Sequence, residues 1–174
     1  FPPRRSSDLS AASPFWHTAN LFREGREWID HALERVNAAP DIEPETHARL
    51  LAGSALMAFH AGAWDDCRTR VDQLGTTDPS GESGVLVMCL DAGLAAYGGD
   101  PAGATGKSRL ALTAAQALGE PWLEGLAGMF DGFASALTGN HEEAYRRLAR
   151  TPRDIGFLDL LLDVMTGAVL TCIR

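Results

Sequence analysis

A short phrase recurs four times along this chain, and its spacing constrains the fold more than any other feature. Each copy closes one apolar stretch with a small residue and opens the next stretch two residues later. The copies start at Asn20, Gly62, Gly99 and Gly139, so successive starts lie 42, 37 and 40 residues apart. A period near 40 residues is typical of stacked helical hairpins.

The positions +2, +5, +9 and +12 from each start form a 3-4-3 lattice, which is one face of an α-helix. In the second copy they hold Trp64, Cys67, Val71 and Leu74. In the first, third and fourth copies they hold Phe22, Gly25, Ile29 and Ala32, then Pro101, Ala104, Ser108 and Ala111, then His141, Ala144, Leu148 and Thr151. We therefore expect an all-α fold of about four helical hairpins, over about 13–37, 44–75, 84–118 and 121–150, plus one extra helix at 152–174.

Composition and charge narrow the class of protein. The chain is 45% apolar and 22% charged with a formal net charge of −8, which is typical of a folded domain. Nucleic-acid binding requires a basic stripe, whereas the basic residues here are scattered among acidic ones, so we expect no nucleic-acid contact. Cys67, Cys89 and Cys172 lack a C-x-x-C spacing and are expected to be free thiols in a reducing, cytoplasmic compartment.

The segment 155–173 is strongly apolar and needs an explanation. It carries Asp159 and Asp163, each of which would cost roughly 2.5–3.5 kcal/mol near a bilayer centre, so we expect a buried helix of the array and no membrane span. Its apolar surface has no partner helix after it in the sequence. A homodimer formed through 155–173 is therefore the alternative use of this helix.

The two ends of the sequence predict a piece of a longer protein. Residues 1–9 are expected to be a non-native or disordered leader, because Arg4-Arg5-Ser6-Ser7-Asp8-Leu9 can be back-translated as the tail of a sequencing adapter. The C-terminal residues stop within an apolar helix that lacks a capping signal. Residues 10–174 are then expected to form a single helical-repeat domain.

Two turns resemble those of the tetratricopeptide repeat. Gly62-Ala63-Trp64-Asp65-Asp66-Cys67 follows its order of Gly, any residue, aromatic, acidic, acidic, small, and Gly139-Asn140-His141-Glu142-Glu143-Ala144 follows it with His for the aromatic. The stretch from Asn20 to Ile29 resembles the opening repeat of large bacterial LuxR-type, MalT-like and AfsR-like regulators. This resemblance implies a right-handed superhelix that binds ligands or proteins, together with ATP-binding and helix-turn-helix modules elsewhere in the parent protein.

Three constellations could carry chemistry, and each has a structural interpretation that fits better. Gly106-Lys107-Ser108 resembles the end of a phosphate-binding loop, but Pro101 stands where the first glycine should be and has no N–H to donate. No two histidines have a metal-ligand spacing. Asp159 and Asp163 have no second acid–base group nearby and fit the wet side of their helix. We therefore expect no enzyme activity, metal or cofactor.

One surface is a candidate binding site. In a tetratricopeptide array the first helix of each hairpin lines a concave face, and counting back from each turn gives the residues on it. The candidates are Leu56, Phe59, His60, Tyr97, Phe133 and Leu137. An apolar, aromatic face fits a peptide, a protein or an apolar small ligand. The alternative is that these side chains are simply core.

Overall fold

The computed structural model describes residues 15–16, 19, 21–38, 43–76 and 81–151. Regular structure in these ranges is entirely helical, which confirms the all-α prediction for this part of the chain. The helices are α1 (Phe22–Asn37), α2 (Pro44–His60), α3 (Trp64–Thr76), α4 (Gly81–Tyr97), α5 (Pro101–Leu118), α6 (Pro121–Leu137) and α7 (His141–Arg150). The predicted leader at 1–9, the extra helix at 152–174 and the dimer surface at 155–173 lie outside the described residues.

The helices begin where the sequence places proline. Pro44, Pro101 and Pro121 each occupy the first position of a helix, where the missing N–H removes no intrahelical bond. Asp100 caps α5, since its side chain accepts a hydrogen bond from the backbone N–H of Gly103 at 2.9 Å. These local signals explain why the starts of α2, α5 and α6 follow from the sequence.

Three turns within the hairpins have the same backbone geometry. Gly62, Gly99 and Gly139 have φ values of 74°, 84° and 78°, which an L side chain rarely adopts. At each turn the glycine N–H donates to the carbonyl three residues back, and the next N–H donates to the carbonyl five residues before it. This is the bonding of a glycine-terminated helix end. Three of the four copies of the phrase therefore mark one repeated turn.

Burial follows the sequence lattice closely. All twelve residues at positions +5, +9 and +12 are buried, including Cys67, Ser108 and Leu148, each fully. The four residues at +2 are not: Trp64 is exposed, and Phe22, Pro101 and His141 are intermediate. The lattice therefore predicts the inner face of each second helix correctly from +5 onward, while its first position lies at the edge of the interface.

The chain divides into two compact units, with the boundary after Leu90 inside α4. In the first unit α2 packs against both α1 and α3, and eleven of its seventeen residues are buried. In the second unit α6 packs against both α5 and α7, again with eleven buried residues of seventeen. Each unit therefore has a central helix between two flanking ones, and that helix contributes more buried residues than either of them.

Glycines on α6 allow its neighbour to approach closely. A Cβ added at Gly132 would lie 2.5 Å from Leu148 Cδ2, and one added at Gly128 would lie 2.6 Å from Thr151 Oγ1. Contacts that short do not occur in folded proteins, so a larger residue requires α7 to move. The two glycines therefore allow close helix packing at these positions.

One boundary differs from the sequence-based expectation. The predicted hairpins end at about 75 and begin again at about 84, but the structure continues α3 to Thr76 and begins α4 at Gly81. Two features accompany the earlier start: Ser83 is buried, and Glu82 accepts a hydrogen bond from Arg49 of α2 at 2.9 Å. Tertiary contacts override the turn propensity of this stretch. None of the described helices combines the length and the apolar character that crossing a membrane requires.

Candidate functional site

The three predicted face residues of the first unit lie near the end of α2. Leu56 and Phe59 are buried among the core side chains of this unit. His60 is partly buried, and its ring stacks on Phe22 at the start of α1, with centroids 4.9 Å apart and an interplanar angle of 17°. Phe59 meets the same imidazole edge-on at 5.4 Å. Phe59 and His60 therefore form an aromatic cluster with Phe22, and this cluster packs α2 against α1.

The environment of His60 keeps its imidazole uncharged. Burial lowers the pKa of His60 from 6.5 to about 4. A neutral imidazole stacks on Phe22 without the cost of desolvating a cation. At neutral pH this end of α2 therefore presents an aromatic surface that carries no charge from His60.

The pKa of His60 makes stability depend on pH. The unfolded chain takes up this proton near pH 6.5, whereas the folded chain resists it down to about pH 4. The contribution of neutral His60 to stability is therefore fully present above the unfolded pKa of 6.5. It is lost progressively as pH falls from there toward the folded pKa of about 4. We expect the free energy of unfolding to drop by about 1.4 kcal/mol between about pH 7.5 and about pH 5.5. Urea titrations at the two pH values measure it.

Two substitutions test the assignment to this histidine. His60→Gln should remove most of the loss between the two pH values, because glutamine does not titrate. His31→Gln, at an exposed position of α1, should leave the loss unchanged. An equal pH dependence in both variants would show that His60 is not the group responsible.

The three predicted face residues of the second unit lie together and are more open. Tyr97 and Phe133 have ring centroids 5.5 Å apart and an interplanar angle of 39°. Tyr97 is 52% exposed and Leu137 is 45% exposed, while Phe133 is half-buried. We call these three residues the Tyr97 surface. It presents two aromatic rings and an aliphatic side chain to solvent at the ends of α4 and α6.

Small residues lie beneath the Tyr97 surface. Phe133 packs against a cluster of four buried alanines, Ala95, Ala96, Ala104 and Ala134. These alanines lie on α4, α5 and α6. Because alanine side chains fill little volume, they leave the ring of Phe133 only partly covered. Exposed apolar groups that lie together are typical of a contact surface for another molecule.

His60, Tyr97 and Leu137 occupy one equivalent position, two residues before the glycine of each turn. All three side chains are at least partly exposed in the structure, as expected for a surface position two residues before the turn glycine. Leu56 and Phe133 are equivalent as well, yet Leu56 is buried and Phe133 is half-buried. The single face that the sequence predicts through both hairpins stays a prediction, since each unit is described by itself.

A second, polar feature of the first unit was not predicted. An open groove of about 620 Å³ runs beside α1, α2 and α3, and polar residues dominate its lining. Asp30, His47, Arg70 and Gln73 contribute to its walls, with Leu33 and Leu51 among its apolar contacts. Its chemistry contrasts with the apolar Tyr97 surface. Only the packing of three helices brings these polar groups together, so sequence spacing alone does not reveal them.

The residues that resemble a phosphate-binding loop lie within a continuous helix. Gly106, Lys107 and Ser108 are part of α5. The ammonium of Lys107 is 2.6 Å from the carboxylate of Asp91, and the Ser108 hydroxyl is 3.1 Å from Asp131 Oδ1. A helical backbone cannot curl its N–H groups around a phosphate as such a loop does. These three residues therefore have structural contacts that account for them.

Titratable side chains elsewhere are dispersed or buried. Within the described part of the chain, no group of three or more His, Cys, Asp and Glu residues is placed to hold a metal ion. Cys67 and Cys89 are free and buried, as predicted, and burial raises the pKa of the Cys67 thiol to about 12. Burial raises the pKa of the Cys89 thiol as well, so both thiols are protonated and unreactive at neutral pH. Cys172, Asp159 and Asp163 lie outside the described residues.

Comparison with known proteins adds no assignment. No model of a protein family matches the sequence, and no curated protein matches it significantly. The resemblance to bacterial regulators therefore stays a prediction, based on the turn motifs and on the opening repeat.

Proposed function

We propose that this chain is a ligand- or protein-binding module of stacked helical hairpins, tetratricopeptide-like in arrangement, within a larger bacterial regulator of the LuxR-type, MalT-like or AfsR-like group. Three turns with one backbone geometry, at Gly62, Gly99 and Gly139, support the repeat class. The motifs around Gly62 and Gly139 support the family. Binding to the module would bias the ATP-binding module of the parent protein between two states.

The observation that carries the binding role is the Tyr97 surface. An apolar side chain that is half exposed to water does not gain the stabilisation that full burial would give the folded chain. Tyr97 and Leu137 are exposed in this way at the same position before their turns, and the ring of Phe133 lies beside that of Tyr97. None of the three side chains is a carboxylate or an amine. The surface is therefore suited to an apolar group of a partner.

We assign the occupant as a peptide segment that presents an apolar anchor side chain. Sites for small molecules enclose most of their ligand. The Tyr97 surface is open, so a small apolar molecule would keep much of its own surface in water. An extended peptide can cover the rings and also continue past the turn, which gives it contacts that a small ligand lacks.

The test uses the 174-residue chain and a displayed library of random peptides. We expect selection to enrich peptides with an apolar anchor, and Tyr97→Asp to weaken their binding about thirtyfold, because a carboxylate would be desolvated against the anchor. Fluorescence anisotropy of a labelled selected peptide measures the affinity. Tyr97 is exposed, so this variant should keep the helicity and thermal midpoint of the parent.

A matched control separates this site from general surface stickiness. Leu110 on α5 is apolar and 66% exposed, and it is not one of the three residues of the Tyr97 surface. Leu110→Asp should leave peptide affinity within about twofold of the parent, as expected for a residue outside the interface. Enrichment of no peptide, or an equal loss in both variants, would overturn the proposed site.

The regulator assignment has a separate test. The open reading frame that surrounds this sequence should encode a Gly-x4-Gly-Lys-Ser/Thr loop upstream and a helix-turn-helix segment, as the resemblance implies. A frame without either module would contradict the family while leaving the peptide-binding role to its own experiment.

A further inference from the structure

A polar cluster in the first unit joins its three helices. Asp30 of α1 receives a hydrogen bond from Ser54 of α2, with Oγ 2.5 Å from Oδ1. Arg70 of α3 donates through Nη2 to the same Oδ1 at 3.0 Å. Arg26, one turn before Asp30, also donates to its carboxylate at 3.3 Å. One carboxylate of α1 therefore contacts both the central helix α2 and the third helix α3.

A second cluster in the other unit joins α5, α6 and α7 in the same way. Asp131 of α6 lies 3.1 Å from the Ser108 hydroxyl of α5. Arg147 of α7 donates through Nη1 to both oxygens of Asp131, at 2.6 and 2.7 Å. The Asp131 side chain is only 5% exposed, compared with 32% for Asp30. The same three chemical groups thus connect three consecutive helices in each unit.

The members of the two clusters occupy related positions in the repeat. Each arginine lies eight residues after the turn glycine, and the central-helix member, Ser54 or Asp131, lies eight residues before it. The third member, Asp30 or Ser108, comes from the second helix of the preceding hairpin. In the first cluster the carboxylate lies on the preceding hairpin and the hydroxyl on the central helix, and in the second cluster these places are exchanged. The arginine occupies the same repeat position in both.

A related ion pair crosses the remaining hairpin turn. Asp91 and Lys107 lie eight residues before and eight residues after Gly99, and their charged atoms are 2.6 Å apart. Three hairpins thus carry a polar residue and a basic residue 16 positions apart about the turn glycine. Such spacing is not needed for helix formation, because the two residues lie on different helices.

We infer that the two clusters are one repeated device, which fixes the register of each hairpin against the helix before it. The carboxylate of the device can lie on either side of that interface. A slide of one helical turn, about 5.4 Å, would separate each arginine from the carboxylate of the cluster and, in the second unit, take Arg147 away from the buried charge of Asp131. Apolar contacts between helices tolerate such slides better, since they have no fixed direction. The charged cluster therefore selects one register among those that bury similar area.

An exchange experiment on the full 174-residue chain tests this inference. Asp30→Ser removes the carboxylate of the first cluster, and we expect the equilibrium constant for unfolding in urea to rise at least about tenfold. Ser54→Asp alone places a second carboxylate beside Asp30 and should also destabilise. In the Asp30→Ser background, however, Ser54→Asp should stabilise, because it restores a carboxylate at the position that Asp131 holds opposite Arg147.

The decisive result is this change of sign. Recovery of at least half of the lost urea midpoint in the double variant supports the device, and further destabilisation overturns it. Asp72→Ser, at an exposed position of α3, is the matched control because it removes a carboxylate outside the cluster. In that background Ser54→Asp should still lower the urea midpoint. If Ser54→Asp alone does not fold, the comparison of Asp30→Ser with the double variant still decides.

The second unit offers the opposite exchange. Asp131→Ser should destabilise strongly, and Ser108→Asp in that background should recover stability, since it places a carboxylate on the second helix of the preceding hairpin, one position before the equivalent of Asp30. Recovery in both units supports a common device. Failure of the exchange in both units would show that each cluster is a separate local solution.

Discussion

Replacing Arg147 by leucine should lower the free energy of unfolding by about 3–5 kcal/mol, the largest effect that we expect from a single substitution in the described chain. Arg147 is the partner of Asp131, whose side chain is almost completely buried. Its loss leaves a carboxylate in the core of the second unit with one serine hydroxyl, Ser108, as its remaining side-chain donor among the contacts of this cluster. Urea unfolding followed by far-ultraviolet circular dichroism measures the change.

Two further variants separate burial of the charge from simple loss of an arginine. Arg150→Leu, at an exposed position on the same helix, should change stability by no more than about 0.5 kcal/mol. Asp131→Leu combined with Arg147→Leu should be much less harmful than Arg147→Leu alone, because no unpaired charge stays behind. Equal losses for Arg147→Leu and Arg150→Leu would contradict a special role for the buried pair.

Substitution of Gly132 by valine should cost about 2–3 kcal/mol through overpacking. The added Cβ would lie 2.5 Å from both Cδ2 and Cγ of Leu148. Leu148 is itself fully buried, so its side chain has little room to move aside. The strain must then separate α7 from α6. Thermal unfolding of the variant should show a lower midpoint with unchanged helicity in the folded state.

A glycine on a neighbouring helix provides the control. Gly106 is exposed on α5, and a Cβ added there meets no atom within 4 Å. Gly106→Ala should therefore stabilise by about 0.5–1 kcal/mol, because alanine restricts the unfolded chain and favours the helix. If Gly132→Val is tolerated as well as Gly106→Ala, the close approach of α6 and α7 is not a constraint on stability.

The candidate site shows where counting along the sequence succeeds and where it stops. The position two residues before each turn is at least partly exposed in His60, Tyr97 and Leu137, because it follows from helix period and turn geometry. The position six residues before the turn is buried in Leu56 and half-buried in Phe133. Its exposure depends on the size of the residues on adjacent helices, here the alanines around Phe133, which sequence periodicity does not rank.

In the part of the chain that the structure describes, the sequence by itself determined the helical class, the turns at three glycines and the buried side of each second helix. These features depend on interactions within a few residues: proline at helix starts, glycine with positive φ at Gly62, Gly99 and Gly139, and a period of 3.6 residues. Only the tertiary structure decided the early start of α4, the low pKa of His60, and the clusters centred on Asp30 and Asp131. Each of these joins groups on separate helices, as Asp30 and Arg70 are 40 residues apart. Such contacts depend on which helices pack together and in which register, and that choice arises from the summed packing of side chains distant in the sequence.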